Sequence, residues 1–211
     1  MAGDNEQGGF IADRRSFSPS AARNRAPILD VLQRVLPARA AVLEIGCGTG
    51  EHAVHFAAAM PGLSWAPSDA DADARASTSA WIAFSRLSNV SAPRAIDVCV
   101  DAWEADGAFD AIVSLNMIHI APWAASVGLF AGAGRLLGAG GVLFLYGPFM
   151  RNGDHTAPSN AAFDSSLKAR DPAWGVRDVA DLERLGEGAG LVLRETVEMP
   201  ANNQCLLFAK R

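Results

Sequence analysis

Lysine is nearly missing: Lys168 and Lys210 are the only two in 211 residues, and the formal net charge at pH 7 is −5. Proteins that follow a nucleic-acid backbone present a basic face, so this balance argues against nucleic acid and points to a small partner. Cysteine is also sparse. Cys47, Cys99 and Cys205 are odd in number and far apart, set in apolar or glycine-rich sequence; this is neither a disulfide framework nor a zinc spacing, and small buried hydrophobes fit better. No apolar run approaches the ~18 residues of a membrane span, and Met1 to Phe10 lacks the basic start and apolar core of a leader. The expectation is a cytoplasmic protein with no metal and no membrane partner. The single tyrosine, Tyr146, has Met150 four residues on, which removes the tyrosine–lysine pair of one oxidoreductase class. The length suits one domain with a sizeable core.

What is present centres on Val42-Leu43-Glu44-Ile45-Gly46-Cys47-Gly48-Thr49-Gly50. An apolar strand ends in an acid and then in glycines at every second position. The following segment, Glu51 to Met60, is alanine-rich and helix-forming. Glycine admits tight turns and close ligand approach, and the amides that open the helix favour anionic or polar groups. Strand, glycine loop and helix together make a nucleotide site. The spacing is G-x-G-x-G rather than the dinucleotide G-x-G-x-x-G. A second acid, Asp69, closes the apolar Leu63 to Ala66 stretch at the distance expected of a ribose-binding carboxylate.

Taken in order, residues 1–17 read as a mobile arm, with Phe10, Ile11 and Phe17 able to fold down as a lid, and 18–211 as one domain. Ser18-Pro19 is a helix start, and Pro27 is expected to split this helix into two pieces, with Arg23 and Asn24 at the kink closing over the cofactor. A second helix spans Ala70 to Leu87 and a short strand Arg94 to Val98, ending near Asp97 and Val98. Phe109 to Asn116 is the apolar central strand expected when both sheet faces are covered. Its exit, Met117 to Trp123, lies where open α/β sheets bind ligands. His119 there is the best-placed titratable group, with an ordinary pKa near 6.5 suited to taking a proton. After a fifth strand, Val142 to Tyr146, about thirty residues (148–177) intervene before the next helix, and segments of that length are usually functional. They are expected to form a substrate cap, with Asn160, Trp174 and Arg177 as candidate contacts. Asp178 caps the next helix. Strands Leu191 to Leu193 and Cys205 to Ala209 flank Pro200 to Gln204, whose Asn202 and Asn203 are further substrate candidates. The fold class is α/β, a mostly parallel seven-stranded sheet with helices on both faces.

The loop Glu44 to Gly50 with Asp69 resembles the first motifs of class I S-adenosylmethionine-dependent methyltransferases. A narrower resemblance, to the methyltransferase-like 26 family, a domain family of unknown function, runs from Ser18 to the C-terminus. It rests on Ser18 to Asn24 with Pro27-Ile28-Leu29, Glu44 to His52, Pro67-Ser68-Asp69, Asn116 to Ile120, Tyr146 to Phe149, Asp171 to Asp178 and Met199 to Asn203. The resemblance implies a Rossmann-like class I fold with an antiparallel last strand. It also implies S-adenosylmethionine as cofactor, with S-adenosylhomocysteine as product. Glu44, Gly46, Cys47, Gly48 and Asp69 would hold it, Asp97 with Val98 would meet the adenine, and Asn116 and Met117 would line the methionine part. The prolines of the Asn-Pro-Pro-aromatic motif of amino-directed DNA methyltransferases are missing at Ser114 to Met117.

The expected reaction is in-line methyl transfer to an oxygen, nitrogen or sulfur of a small molecule, with the protein aligning the groups and excluding water. His119 and Tyr146 are the candidates to orient or deprotonate the nucleophile. The alternative is a protein that keeps the cofactor pocket without catalysis, because fold alone does not assign activity.

Overall fold

The computed structural model describes residues 13–100, 103, 105 and 107–211. Helix α1 (Pro19–Val35) precedes strand β1 (Ala41–Ile45), α2 (Glu51–Ala59), β2 (Ser64–Asp69), α3 (Ala72–Ser85) and β3 (Arg94–Ala95). Then come β4 (Phe109–Leu115), α4 (Trp123–Leu136), β5 (Leu137–Gly147), β6 (Phe149–Arg151), β7 (Asp154–His155), α5 (Pro158–Arg170), β8 (Arg177–Asp178), α6 (Val179–Ala189), β9 (Leu191–Met199) and β10 (Asn203–Lys210).

The main sheet has seven strands in the order β3-β2-β1-β4-β5-β10-β9. All pairs from β3 to β5 are parallel, and β10 runs antiparallel to both β5 and β9. The strand reversal between β1 and β4 puts a crevice at the carboxyl ends of these two strands, where ligands bind in open α/β sheets.

Period-two alternation divides the core. Leu43, Ile45, Ile112, Leu143 and Leu145 join the cluster built with Leu129, Phe130 and Leu182 of α4 and α6. Val42, Ala111, Val113, Phe144 and Tyr146 join Ile28, Leu32 and Phe56 of α1 and α2 on the other face. Burial on both faces is why these strands read as continuous apolar runs.

Ser18 caps α1, its hydroxyl accepting from the Ala21 amide at 3.3 Å. The helix does not split at Pro27, contrary to the sequence expectation: it runs unbroken from Pro19 to Val35. Proline removes one amide donor, and Ile28, Val31 and Leu32, buried against the sheet, hold the second half in line with the first. Of the expected arm, residues 1–12 lie outside the described residues, so the lid role of Phe10 and Ile11 does too. Residues 15–17 pack on α3. The Ser16 amide donates to Ser77 Oγ at 2.8 Å, Phe17 meets Trp81 edge-on at 5.2 Å, and the Arg15 guanidinium lies 3.7 Å from the Phe84 ring centroid.

The segment after β5 makes a second, three-stranded sheet, β7-β6-β8, together with α5. It is tied to the turn after β4, since Gly175 N donates to His119 O at 2.9 Å and Arg177 Nε to Ile118 O at 2.9 Å. Asp164, nearly buried, braces the segment by accepting from Lys168 Nζ at 2.6 Å and Val176 N at 2.8 Å.

Glu44 alternates with Val42 and therefore points into the α1/α2 side, fully buried, where Trp65 Nε1 donates to its carboxylate at 2.8 Å. Burial raises its pKa from an ordinary 4.5 to about 7, against the lowering effect of the Trp65 bond. A raised native pKa means that the folded chain holds a proton the unfolded chain has released. The stability this contributes is complete below about pH 4.5 and is lost as the pH rises to about 7. Glu44→Gln is expected to remove that part of the pH dependence, giving a flatter profile of denaturation midpoint across this window than the wild type.

Candidate functional site

The glycine loop turns from β1 into α2 under tight constraints. The amides of Gly46 and Cys47 both donate to Ser68 O at 2.9 Å, which fastens the loop to the end of β2. Gly46 has φ +76°, and a Cβ there would lie 2.7 Å from Met117 Cγ; Gly50 has φ +88°, and a Cβ would lie 2.6 Å from the Thr78 backbone. Both positions need glycine for conformation and for space. Asp69 braces the open side, accepting from Gly48 N at 2.9 Å and from Asp71 N at 3.0 Å. Glu51, at the first turn of α2, accepts from Thr49 Oγ1 and from the Ser18 amide, joining the loop to the start of α1.

A cavity of about 490 Å³ opens over this loop. Its wall includes Gly46, Cys47, Gly48, Asp69, Asp97, Val98, Asn116 and Met117, so most of the residues expected to hold a cofactor are brought together. Acids line it at Asp69, Asp71 and Asp97, and no lysine or arginine does among the described residues. Asp97 also accepts from Cys99 N at 2.8 Å. The residues fit an adenosyl sulfonium: glycines that admit close approach, carboxylates beside a cationic ligand, and apolar Ile45, Val98 and Met117 for its flat and aliphatic parts.

A second cavity, about 560 Å³, adjoins the first, and the two share Ser18, Ser20, Asn24 and Asn116. Arg23, Tyr146, Asn160 and Asn203 line only the second. Asn116 sits at the junction with φ +60°, an uncommon conformation for a non-glycine residue, and its amide donates to Tyr146 O at 2.8 Å. Asn24, nearly buried on α1, pairs through Oδ1 with His52 Nε2 at 2.8 Å and has its side chain against the Tyr146 hydroxyl. His52 is held neutral by burial, its pKa lowered to about 4. Burial also raises the Tyr146 pKa, the Asn24 hydrogen bond opposing it.

Several expectations need correction. Glu44 does not reach the first cavity, because strand alternation turns it toward Trp65. Arg23 lines the second cavity rather than the first, one helical step of about 100° separating it from Asn24. Trp174 and Arg177 line neither. Trp174 packs beside Arg170, and Arg177 spends its donors on the Ile118, Ala121 and Ala173 carbonyls, pinning the cap. Asn202 also stays outside, its Nδ2 bonded to Ser159 Oγ at 3.0 Å, although its carbonyl accepts from Asn160 Nδ2 at 2.9 Å.

His119 is the largest departure. Its ring is wholly buried under Gly147 and beside Phe149, at 5.1 Å between centroids, and lines neither cavity. Burial and then the nearby Arg177 charge lower its pKa to about 3, and neither ring nitrogen has a hydrogen-bond partner among the described residues. A base must come within hydrogen-bond reach of the group it deprotonates, directly or through one water. A ring with no exposed surface that opens to neither cavity does not, and in this structure His119 packs rather than faces a ligand. His119→Gln is expected to leave S-adenosylhomocysteine affinity within about twofold while costing ~1–3 kcal/mol of stability, measured by calorimetry and denaturant melts.

The sequence reading missed His52, Ser18, Ser20, Ser159 and Phe163, which all line a cavity. His52 had a signal: it follows the loop in the first turn of α2, where side chains flank the ligand face.

The sheet order and the glycine loop at its switch point define the α/β Rossmann-like fold of class I methyltransferases. Solved structures share it. The chain is similar to CalO1, a methyltransferase in calicheamicin biosynthesis crystallised with S-adenosylhomocysteine, at 21% identity and TM-score 0.72 over 91% of this chain and 54% of that one. It is similar to an O-methyltransferase family 2 protein from Planctomyces limnophilus in complex with apigenin, at 19% identity and TM-score 0.76, covering 91% and 58%. The mitomycin 7-O-methyltransferase MmcR matches at 14% identity and TM-score 0.76, covering 91% and 54%. The chain thus spans little more than half the length of each. Residues 15–210 match the model of the family described as Protein of unknown function (DUF938), and the chain belongs to that family.

Proposed function

We propose that this protein transfers the methyl group of S-adenosylmethionine to a small-molecule acceptor held in the second cavity. The observation that carries the reading is the junction: an acid-lined cavity over a glycine loop meets a second cavity at Asn24 and Asn116. Gly46, Cys47, Gly48, Asp69, Asp97, Val98 and Met117 bind the cofactor, which supplies an electrophilic methyl when bound. Asn116 and Asn24 orient the two ligands toward each other. Tyr146, with Asn24 at its hydroxyl, positions the acceptor, and Asn160 and Asn203 bind its far side. The cap segment, 148–177, and α1 exclude water. The likeness of fold to small-molecule O-methyltransferases supports the same reading, and the resemblance to the methyltransferase-like 26 family would fit its cofactor half. Low charge, few lysines and the absence of a long apolar helix among the described residues fit a small, non-nucleic-acid acceptor, and a cytoplasmic setting remains part of the proposal.

One observation favours a second reading, a cofactor-binding protein without catalysis: no aspartate, glutamate, histidine or cysteine lines the second cavity among the described residues. Calorimetry with S-adenosylmethionine and S-adenosylhomocysteine tests the shared core of both readings. Micromolar binding is the expected result. A folded protein that binds neither ligand would refute both.

A further inference from the structure

We propose that the second cavity takes a small carboxylate and that this carboxylate is itself the methyl acceptor. The inference rests on the methyl-transfer reading and names the substrate class for the same site.

The first argument is charge. Among the described residues Arg23 is the only charged group lining the second cavity. Its guanidinium donates to Ser20 Oγ at 3.2 Å and forms no ion pair with a carboxylate among the described residues. The first cavity has the opposite character, with Asp69, Asp71 and Asp97 and no cationic side chain among its described lining. The pair of cavities thus sorts a cationic ligand to one side and an anionic one to the other. A guanidinium's planar donors match the two oxygens of a carboxylate as a fork. An acceptor amine, protonated near neutrality, would meet Arg23 with like charge.

The second argument is the proton. Alcohols and phenols need a base before they attack, and the described lining supplies none: His119 is sealed away, and Tyr146 is kept protonated by burial. A carboxylic acid, with a pKa near 4, arrives ionised at neutral pH. The lack of a base then ceases to count against catalysis.

The third argument is shape. Phe163 with Pro27, Pro148 and Pro200 gives the cavity an apolar wall, and about 560 Å³ suits an aryl or short alkyl body.

The step balances without a proton. One carboxylate oxygen donates an electron pair to the sulfonium methyl carbon as the carbon–sulfur bond breaks, and that bonding pair stays on sulfur. A methyl ester and a neutral thioether result, so a positive and a negative charge disappear together, which a water-poor junction favours. Arg23 binds the acceptor, and its loss is expected to show in affinity.

The test uses the full chain saturated with S-adenosylhomocysteine. Benzoate and phenylacetate are titrated by calorimetry against benzamide and phenylacetamide, on wild type and on Arg23→Gln. Each acid is expected to bind at least about tenfold tighter than its amide, and Arg23→Gln is expected to bring the ratio near one while S-adenosylhomocysteine affinity holds within about twofold. Equal binding of acid and amide, a preference that survives in Arg23→Gln, or no binding of either acid overturns the carboxylate assignment alone. Failure of S-adenosylhomocysteine to bind the wild type removes the methyl-transfer reading, and the carboxylate assignment falls with it. With S-adenosylmethionine in place, mass spectrometry should find the methyl ester of the acid that binds, and its absence would refute the acceptor role.

Discussion

Asp69→Ala is expected to weaken S-adenosylmethionine binding by two to three orders of magnitude, read as a calorimetric Kd. The carboxylate ends β2 at the rim of the acid-lined cavity and performs two tasks there. It holds the glycine loop, through Gly48 N at 2.9 Å, and the entry of α3, through Asp71 N at 3.0 Å. In the proposed function it also presents anionic acceptors to the ribose hydroxyls of a cationic ligand. A hydrogen bond to a charged group contributes ~1.5–3 kcal/mol, and each ~1.4 kcal/mol is tenfold in affinity, so losing ligand contacts and loop brace together gives the stated range. Asp69→Asn keeps the shape and one acceptor oxygen and should lose only about tenfold. Near wild-type affinity in the alanine variant, with its melting curve unchanged, would show that the cavity binds its ligand elsewhere.

How far the sequence reported this site depends on whether a feature is local. The glycine loop, Asp69, the Ser18 and Asp178 caps and the seven main strands are written in spacings of two to four residues, and all of them are in place. The side chains misjudged depend on turns whose geometry the sequence does not announce. Asn116 adopts φ +60°, and the three residues after it form a single 3₁₀ turn that swings His119 back beneath Gly147. Arg177 looked like a free cation in a polar segment, yet that segment returns to the end of β4 and consumes its donors on backbone carbonyls. Glu44 is different: it is expected at the cofactor, although alternation puts it on the same face of β1 as Val42, the face that packs on α1 and α2. Arg23 and Asn24 show the limit of neighbourhood in sequence: adjacent residues on a helix diverge by about 100°, and here that angle separates a cation lining only the second cavity from an amide shared by both. Asn160 is a candidate from the cap's composition and Asn203 from the Pro200 to Gln204 connection, and both line the second cavity; Phe163 and Ser159 line it too, and their contribution follows from the orientation of α5.

Gly128→Ala is expected to cost more than about 4 kcal/mol of stability, against a typical total of ~5–15 kcal/mol, and to take cofactor binding with it. Gly128 faces the chain after β3: an added Cβ would stand 1.7 Å from the Val98 carbonyl oxygen and 2.9 Å from its carbon. These are backbone atoms without rotamers, so α4 would have to move away by more than an ångström, and packed interiors resist such shifts. The neighbourhood leaves little room to yield. Trp103 Nε1 donates to Gly128 O at 2.8 Å, and the same indole fills the space a Cβ on Gly132 would need. Because Asp97 and Val98 line the first cavity, separating α4 from Val98 displaces the wall expected to meet the adenine. Gly188→Ala supplies the contrast. Gly188 lies in α6 with nothing within 4 Å of an added Cβ, so alanine there should gain ~0.5–1 kcal/mol from helix propensity and a less flexible unfolded chain. Denaturant melts of the two variants separate the explanations. A Gly128→Ala protein close to wild type would mean that α4 is not seated against Val98, and the adenine end of the cavity would then need a different wall.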